Sequence, residues 1–326
     1  AFDGESALQK IDLLRPDVVT MDIEMQGMNG LTALKHIMIE KPLPVVMLSS
    51  LTQEGADITF EAFKLGAVDY IPKPSGTISL GIAEQSHEII YKIKAAAQAK
   101  LTKIRRFSTE SIKQQPPNAG SIKNVSQVCR HIIAIGVSTG GPHALINIIP
   151  FLPADLAACV MIVQHMPPIF TKNFSERLNS LSKLTVKEAE SNDPIRNGAV
   201  YLAPGGLHIK VNPAGTAIVI DENPKDALHK PSVDVMMNSL ADHFSGSITG
   251  VILTGMGKDG AQGISKIHNK GNMTIAESEK TSVVYGMPRE AYQLGAIDFV
   301  LDNDKIAAKL IEAVRGKASI STQQIR

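Results

Sequence analysis

A serine, a histidine and an aspartate in the second half of this sequence could together hydrolyse an ester or an amide. Each lies just beyond a short apolar run rich in Ile and Val: Ser138 beyond 131–136, His165 beyond 159–164 and Asp259 beyond 248–255. Runs of this length without a helical period indicate buried strands of a parallel sheet. Because ligands of open α/β sheets bind at the carboxyl ends of the strands, the three side chains are expected to meet in one crevice. The pattern therefore predicts a serine hydrolase, with Ser138 as nucleophile, His165 as base and Asp259 as the carboxylate that orients the base.

The segment around Ser138 has the Gly-x-Ser-x-Gly spacing of a nucleophile elbow, a sharp turn that presents a hydroxyl between a strand and a helix. A helix that begins near Pro142 would place the positive end of its dipole next to that hydroxyl. The order Ser, His, Asp excludes the α/β-hydrolases, in which the acid precedes the histidine. It does not exclude hydrolysis by a catalytic triad, which is defined by geometry and not by sequence order. The glycines around Asp259 leave the backbone amides of Met256 and Gly257 available as donors to an oxyanion.

Each of the three residues also has a simpler explanation when it is taken alone. Ser138 suits a helix N-cap, His165 a hydrogen-bonded interior histidine and Asp259 a turn carboxylate. Rival bases exist among the other histidines: His143, His208, His229, His243 and His268. Of these, the predicted helices place three on exposed faces: His143, His243 and His268. The joint placement of a serine, a histidine and an aspartate at three strand ends favours catalysis over the separate explanations.

Composition and charge exclude several classes of protein. The 326 residues include 33 basic and 32 acidic side chains and carry a formal net charge of +1, so no global field favours nucleic acid. No apolar stretch reaches the roughly 18 residues that span a bilayer, and no secretory signal is visible, so we expect a cytoplasmic protein without membrane insertion. The two cysteines, Cys129 and Cys159, are expected to be buried thiols. A helix-turn-helix pattern is absent from the sequence, which disfavours DNA as a partner.

Periodicity divides the chain into two α/β domains. Residues 1–76 alternate short helices and strands, which predicts right-handed βαβ units and a parallel sheet. A helix with a basic C-terminal half is expected over 82–106, followed by a flexible linker over 107–127. We predict a second domain with a doubly wound, mostly parallel sheet and an antiparallel stretch around 199–221. The predicted organisation is a first domain over 1–76, a helix and linker over 77–128, a second domain over 129–318 and a tail over 319–326.

Five segments of the second domain together resemble the chemotaxis protein-glutamate methylesterase family, CheB. The matching motifs are Ile135–Pro142, Val163–Pro167, Tyr201–Gly205, Lys230–Val235 and Leu253–Gly260. The resemblance implies that Ser138, His165 and Asp259 form the catalytic triad, with the Met256 amide binding the oxyanion and Thr139 supporting the site. It also implies hydrolysis of γ-glutamyl methyl esters on the cytoplasmic helices of chemoreceptors, and deamidation of receptor glutamines, without a cofactor for hydrolysis.

The first domain resembles a response-regulator receiver, which implies a flavodoxin-like fold. On this resemblance Asp22, at the end of a predicted strand, accepts a phosphoryl group from the chemotaxis histidine kinase. Ser49 matches the small hydroxyl residue that moves on activation, Tyr70 the switch aromatic and Lys73 the lysine that pairs with the phosphoryl group. A carboxylate acceptor with hydroxyl and ammonium groups near its oxygens is coherent chemistry for phosphoryl transfer. The receiver is expected to cover the catalytic crevice until phosphorylation loosens it.

The receiver pattern departs from its family at the start. Residues 1–5 match the loop before the second receiver helix, so the first strand, the first helix and the second strand are expected to be missing. The acidic pair that holds Mg²⁺ belongs to that part, which leaves Asp22 and the Glu24 carbonyl as an incomplete metal site. We therefore expect the complete protein to need Mg²⁺ for phosphorylation, and this chain to be phosphorylated weakly or not at all.

Two other classes of function stay open on the sequence. The chain could be a phosphorylation-controlled binding module with an inactive hydrolase core, in which Ser138→Ala would keep full cellular function. It could also be a nucleotide- or phosphate-binding α/β domain that uses the Gly-Gly turn at 140–141, with tight nucleotide binding and no esterase activity. The combination of three catalytic residue types at strand ends favours hydrolysis over both.

Overall fold

The structure is a computed structural model that describes residues 1–50, 52–73, 80–99, 101 and 129–323. It has two structural units, Ala1–Lys113 and Gln114–Arg326. The predicted linker over 107–127 lies outside the described residues, as do the predicted domain boundaries at 76 and 128, which stay predictions. In the part of the chain that is described, no helix is long and apolar enough to cross a membrane.

Short helices alternate with parallel strands in the first unit. The strands, paired in this order, are β1 (Val19–Asp22), β2 (Val45–Ser49) and β3 (Asp69–Pro72). The helices are α1 (Gly4–Leu14), α2 (Gly30–Glu40), α3 (Gln53–Leu65) and α4 (Leu80–Ala97). The first three of these helices each begin after a polar side chain that accepts a backbone N–H: Asp3, Asn29 and Thr52. Because the strands run in one direction, Asp22, Ser49 and Lys73 lie at the same edge of the sheet.

Among the described residues, seven parallel strands form the central sheet of the second unit. They are β4 (His131–Val137), β5 (Cys159–Gln164), β6 (Thr185–Glu188), β7 (Ala199–Leu202), β10 (Ser247–Ile252), β11 (Met273–Glu277) and β12 (Phe299–Leu301). Their spatial order is β12-β11-β10-β4-β5-β7-β6. The chain starts in the centre with β4, moves out to one edge and returns to β10 beside β4. The topological switch point, where doubly wound sheets bind ligands, therefore lies between β4 and β10.

Helices lie between and after these strands, and most of them contact the sheet. They are α5 (Gly141–Ile146), α6 (Pro168–Leu181), α7 (Val233–His243), α8 (Ala261–Asn269), α9 (Met287–Gln293) and α10 (Asn303–Gln323). The helix predicted near Pro142 is short, since α5 ends at Ile146 and a 3₁₀ turn follows over Ile149–Phe151. Every residue of β4 and β5 is buried, which explains the apolar runs that predicted these strands.

The middle of the second unit differs in part from the prediction. An antiparallel pair is present, but it consists of β8 (His208–Val211) and β9 (Ile218–Asp221), whereas β7 pairs in parallel with β5 and β6. The strand β7 is buried along its whole length, as a strand covered on both faces must be. The edge strand β6 has no counterpart in the sequence prediction, because its one buried side chain, Val186, does not make an apolar run. The doubly wound, mostly parallel fold with an antiparallel hairpin is confirmed.

Candidate active site

The loops that follow β4, β5 and β10 meet at the switch point of the sheet. Backbone hydrogen bonds tie them together. The Ser138 N–H donates to the Thr254 carbonyl at 3.0 Å, and the His165 N–H donates to the Val137 carbonyl at 3.2 Å. The predicted nucleophile and the predicted base therefore leave the sheet side by side, at the ends of the neighbouring strands β4 and β5.

Ser138 occupies a sharp turn between β4 and α5. Gly140 has a left-handed backbone with φ 80° and is the N-cap residue of α5, without a capping bond from any side chain. A residue with a Cβ would be strained there. The Ser138 carbonyl accepts the Gly141 N–H at 2.8 Å, which closes the turn. Because the hydroxyl of Ser138 does not cap α5, helix capping does not account for a serine at this position.

His165 and Asp259 form a direct, buried hydrogen bond. His165 Nε2 and Asp259 Oδ2 lie 2.8 Å apart, and each side chain is 10% exposed. The other ring nitrogen of His165, Nδ1, is buried and has no hydrogen-bond partner among the residues that the structure describes. An ionised carboxylate can accept a hydrogen bond but cannot donate one, so the neutral ring carries its proton on Nε2. Nδ1 then has the free lone pair of a base.

The N-terminus of α7 holds the carboxylate of Asp259. Oδ1 accepts the Ser232 hydroxyl at 2.9 Å and the Asp234 N–H at 3.1 Å, and Oδ2 accepts the Val233 N–H at 2.8 Å. Burial raises the pKa of Asp259, but the hydrogen bond and charge of His165 and the two backbone N–H groups outweigh burial. They hold the pKa of this carboxyl well below its ordinary value. Asp259 is therefore an anion at neutral pH, fixed in direction toward His165.

The loop after β10 passes directly beside Ser138. A Cβ atom on Gly255 would lie 2.8 Å from Ser138 Cβ and 2.4 Å from Met287 Sδ, so a side chain does not fit. The Gly255 carbonyl accepts the Met287 N–H at 2.7 Å, which fixes the loop against α9. The predicted oxyanion donors, the N–H groups of Met256 and Gly257, follow directly in this fixed loop.

Thr139, predicted to support the site, is buried and contacts the same loop. Its carbonyl accepts a hydrogen bond of 2.9 Å from the Thr254 hydroxyl. The Thr254 N–H in turn donates to the buried carboxylate of Glu277 at 2.9 Å. The contact between Thr139 and Thr254 uses the backbone of Thr139, so it does not depend on the threonine side chain.

Several side chains without a predicted role contact the predicted triad. The amide of Gln164 donates to the carbonyl of Ser138 at 3.0 Å and to the carbonyl of His165 at 3.2 Å. The ring of His229 stacks on the ring of His165. Ser232 caps α7 and also bonds the carboxylate partner of His165. The motifs that carry the family resemblance include Gln164 and Ser232, but contacts between distant segments cannot be read from one motif at a time.

The rival histidines occupy varied environments. The prediction that His143 is exposed is wrong: His143 is buried, because the whole first turn of α5 is covered. His243 is exposed and His268 is half-buried. His208 is fully buried, and its Nδ1 accepts the Ser232 N–H at 3.2 Å. His208 therefore supports the N-terminus of α7, the element that holds the carboxylate.

A second cluster lies at the ends of β1, β2 and β3 in the first unit. Lys73 Nζ lies 2.8 Å from Asp22 Oδ1 and 3.9 Å from Glu24 Oε2. The side chains of Asp22 and Lys73 are 33% and 35% exposed, so a reagent in solution can reach the predicted phosphoacceptor. Ser49 and Tyr70, the predicted switch residues, are both buried.

This cluster offers few ligands for a Mg²⁺ ion. Asp22 Oδ1 already accepts hydrogen bonds from Lys73 and from the Glu24 N–H at 3.0 Å. Within the described ranges, no group of three or more His, Cys, Asp or Glu side chains could hold a metal ion. Mg²⁺ requires near-octahedral oxygen coordination. The carboxylates of Asp22 and Glu24 alone do not fit that requirement, and we assign no step to a metal.

Comparison with known proteins relates each unit to a family. Residues 133–310 match the family model described as CheB methylesterase. Residues 1–82 match the model described as response regulator receiver domain. The two matched ranges correspond to the two structural units.

Curated relatives match almost the whole chain. A protein-glutamate methylesterase/protein-glutamine glutaminase of Pyrococcus horikoshii is 44% identical, over 98% of this chain and 88% of that protein. One of the same name from Archaeoglobus fulgidus is 46% identical, over 97% of this chain and 90% of that protein. Among solved structures, the CheB methylesterase catalytic domain of Thermotoga maritima is 43% identical with a TM-score of 0.54, covering 57% of this chain and 98% of that chain.

Proposed function

This chain belongs to the CheB methylesterase family, and we propose that it is a protein-glutamate methylesterase and protein-glutamine glutaminase controlled by its receiver domain. The proposed substrate is a γ-glutamyl methyl ester on a cytoplasmic helix of a chemoreceptor, and the products are glutamate and methanol. The proposed location is therefore the cytoplasm. Glutamine side chains of the same receptors are the second proposed substrate.

The proposed reaction proceeds through an acyl-enzyme. Ser138 Oγ attacks the ester carbonyl carbon while His165 Nδ1 takes the hydroxyl proton. The bond to the methoxy group then breaks, and the protonated imidazole gives its proton to that group, which leaves as methanol. Water adds to the acyl group with His165 again as base, which releases glutamate and restores the serine. With glutamine as substrate, ammonia leaves in place of methanol.

The observation that carries the proposal is the buried bond between His165 Nε2 and Asp259 Oδ2 at 2.8 Å. It leaves Nδ1 as the nitrogen that takes the proton, and Nδ1 has no other partner among the described residues. The anionic carboxylate stabilises the imidazolium that forms when the serine is deprotonated. Its bonds to the α7 N-terminus keep it from turning away during the reaction.

Backbone amides are the proposed donors to the oxyanion. Gly255 lies against Ser138, and the amides of Met256 and Gly257 are those of the next two residues in the same loop. Fixed N–H groups of this kind typically contribute on the order of 3 kcal/mol each to the transition state. Ser138 also precedes the N-terminus of α5, but that helix is short, and we assign the oxyanion to the loop after β10.

The test is the release of labelled methanol from methyl-labelled receptor membranes by the full chain. Ser138→Ala should reduce the release to the background rate, whereas Ser180→Ala, at an exposed position on α6, should leave it at the wild-type rate. Equal release by the wild-type protein and Ser138→Ala would reject Ser138 as the nucleophile. Release by neither protein would reject the proposed activity.

For the receiver, we propose that Asp22 accepts a phosphoryl group from the chemotaxis histidine kinase. The ion pair between Asp22 and Lys73 supports this role, since the ammonium group can contact phosphoryl oxygens on the same carboxylate. Phosphorylation would then shift a two-state equilibrium that opens the catalytic crevice, with Ser49 and Tyr70 as the residues that respond. The need for Mg²⁺ that the resemblance implies stays a prediction.

A further inference from the structure

A second imidazole lies flat against the ring of His165. The ring centroids of His165 and His229 are 4.2 Å apart, and the ring planes are inclined by 17°. His229 is half-buried and lies in the segment between β9 and α7. Stacked aromatic pairs at this separation attract each other and bury surface on one face of each ring. One face of the proposed base is therefore covered by an aromatic side chain.

The segment that carries His229 is fixed on both sides. The carbonyl of Lys230 accepts the Gly206 N–H at 3.0 Å, and the Ser232 N–H donates to His208 Nδ1 at 3.2 Å. Ser232 and the two residues after it also hold the carboxylate of Asp259. One segment thus supplies both the donors that hold the carboxylate at the edge of the His165 ring and the side chain that covers the face of that ring.

These two contacts constrain different motions of the proposed base. The hydrogen bond from Nε2 to Asp259 fixes the direction of one ring edge, but it leaves the ring free to rotate about that bond. A parallel ring at 4.2 Å opposes this rotation, because tilting would drive one imidazole into the other. With both contacts present, the imidazole ring, and Nδ1 with it, is held in one orientation.

His229 also has the charge state that this role requires. Burial and the nearby charge of His165 lower the pKa of His229 to about 4, against an opposing effect of Asp259. His229 therefore stays neutral at the pH of the cytoplasm, including when His165 holds the proton of the nucleophile. A neutral aromatic face tolerates a neighbouring cation, whereas a second imidazolium would repel it.

From this geometry we propose that His229 is a positioning residue for the hydrolysis, which acts by holding the ring of His165 in the plane that directs Nδ1 toward Ser138. The inference rests on the proposed function of the triad. It assigns to His229 no contact with the substrate and no proton transfer.

The first test separates the flat ring from its nitrogen atoms. His229→Leu fills the space with an apolar side chain but removes the stacked ring. In this variant kcat for methanol release should fall roughly 10- to 100-fold with KM unchanged, as expected when a catalytic group is misplaced. His229→Phe restores a flat neutral ring and should recover most of the loss. His243→Leu, at an exposed position on α7, is the matched control and should keep the wild-type kcat.

The second test uses the pH profile, which a purely structural role would not move. His229→Lys places an amine beside His165 that is cationic whenever it is protonated. The acid limb of kcat/KM should move to lower pH, because a neighbouring cation opposes protonation of the base, and kcat should fall for the same reason. The titratable groups that act on His229 are His165 and Asp259, and both remain in this variant.

A third measurement does not depend on hydrolysis. In the NMR spectrum without substrate, the ring-proton resonances of His165 should lose their ring-current shift in His229→Leu and keep a ring-current shift in His229→Phe, because a stacked ring shifts the resonances of its neighbour. Unmoved resonances in the leucine variant would overturn the stack itself, whatever the activity. A wild-type kcat in His229→Leu, an equal loss in the leucine and phenylalanine variants, or a change confined to KM would each overturn the positioning role. Ser138→Ala, assayed alongside, tests the proposed function separately.

Discussion

The side-chain amide of Gln164 donates a hydrogen bond of 3.0 Å to the backbone carbonyl of Ser138, and a second of 3.2 Å to the carbonyl of His165. One buried side chain thus joins the main chain of the proposed nucleophile to that of the proposed base. Gln164 ends β5, and its Oε1 atom lies so close to Gly141 that a Cβ there would sit 1.9 Å from it. Gln164 therefore adds a side-chain link between the two strand ends, beside their backbone pairing.

Gln164→Leu should lower both activity and stability. It replaces the amide group that donates both hydrogen bonds with an apolar side chain of similar size. The Ser138 carbonyl retains its bond from the Gly141 N–H, so the free energy of unfolding should fall by only about 1–2 kcal/mol. We expect kcat to fall roughly tenfold, since the proposed nucleophile and the proposed base lose a common support. Urea unfolding and methanol release measure the two effects. A variant that loses stability but keeps the wild-type kcat would contradict the link between Gln164 and catalysis.

Asp259→Asn should remove most of the activity while it preserves the shape of the site. The amide of asparagine can donate to His165 as well as accept from it, so the proton is no longer fixed on Nε2. The neutral amide also cannot stabilise the imidazolium. A loss of roughly 10³- to 10⁴-fold in kcat is typical when a triad carboxylate is replaced in this way. Ser232→Ala is the matched comparison, because it removes one donor to the same carboxylate and should cost far less. A similar loss of kcat in Asp259→Asn and Ser232→Ala would mean that the negative charge of Asp259 is not required for catalysis.

The stability that Asp259 contributes should depend on pH in the acid range. The pKa of this carboxyl is lowered in the folded protein, whereas in the unfolded chain it is near the ordinary value of about 3.9. Its contribution is therefore fully present above that value and is lost as the pH falls toward the lower pKa of the folded state. The difference in unfolding free energy between wild type and Asp259→Asn should be constant near pH 5 and should shrink below about pH 4. Urea titrations at several pH values measure this difference, and one that grew on acidification would have the wrong sign.

Gly255→Ala should disable the site without unfolding the protein. The added Cβ would meet Ser138 Cβ at 2.8 Å and Met287 Sδ at 2.4 Å, so the loop with the proposed oxyanion donors must move away from the nucleophile. Losing one such donor costs about 10²- to 10³-fold in kcat, and we expect a loss of that order. Gly316→Ala is the control, since a Cβ on this exposed helical residue would meet nothing within 4 Å. Wild-type kcat in Gly255→Ala would show that this loop does not bind the oxyanion.

Replacing Lys73 should uncouple phosphorylation from methanol release. Its ammonium group lies 2.8 Å from Asp22 Oδ1, and in Lys73→Ala the phosphorylated carboxylate would lose its cationic partner. Any stimulation of methanol release by a phosphodonor, which we expect to be weak in this chain, should be smaller in Lys73→Ala than in the wild-type protein and absent in Asp22→Asn. Lys41→Ala is the control, because this exposed lysine pairs with Asp12 instead. Full stimulation of Asp22→Asn would show that the receiver acts through another residue.

The positions of Ser138, His165 and Asp259 at strand ends follow from the sequence, because buried parallel strands are apolar runs and their ends are easily located. The same reasoning misses β6, where Val186 is the one buried side chain, and it places His143 on the surface although α5 is covered. The roles of Gln164, His229 and Ser232 depend on how close segments come that are far apart in the chain. Such distances are set by the packing of the whole sheet and its helices, and a pattern of residue types along one segment does not contain them.

Asp259 is bonded by a segment that lies 25 to 27 positions earlier in the chain, and that segment follows the exposed side chain of Leu228. The residues just before it, 222–226 and Leu228, are exposed, and exposed connections open locally at a lower free energy than the strands of a core, so opening can start there and spread into the buried residues Ser232 and Val233. When this segment opens, the carboxylate loses its donors and the imidazole loses its neighbour, although the central sheet is still intact. Heat or protease should therefore abolish the chemistry before the fold is lost, so the useful lifetime of the enzyme is set by one short connection and not by its core.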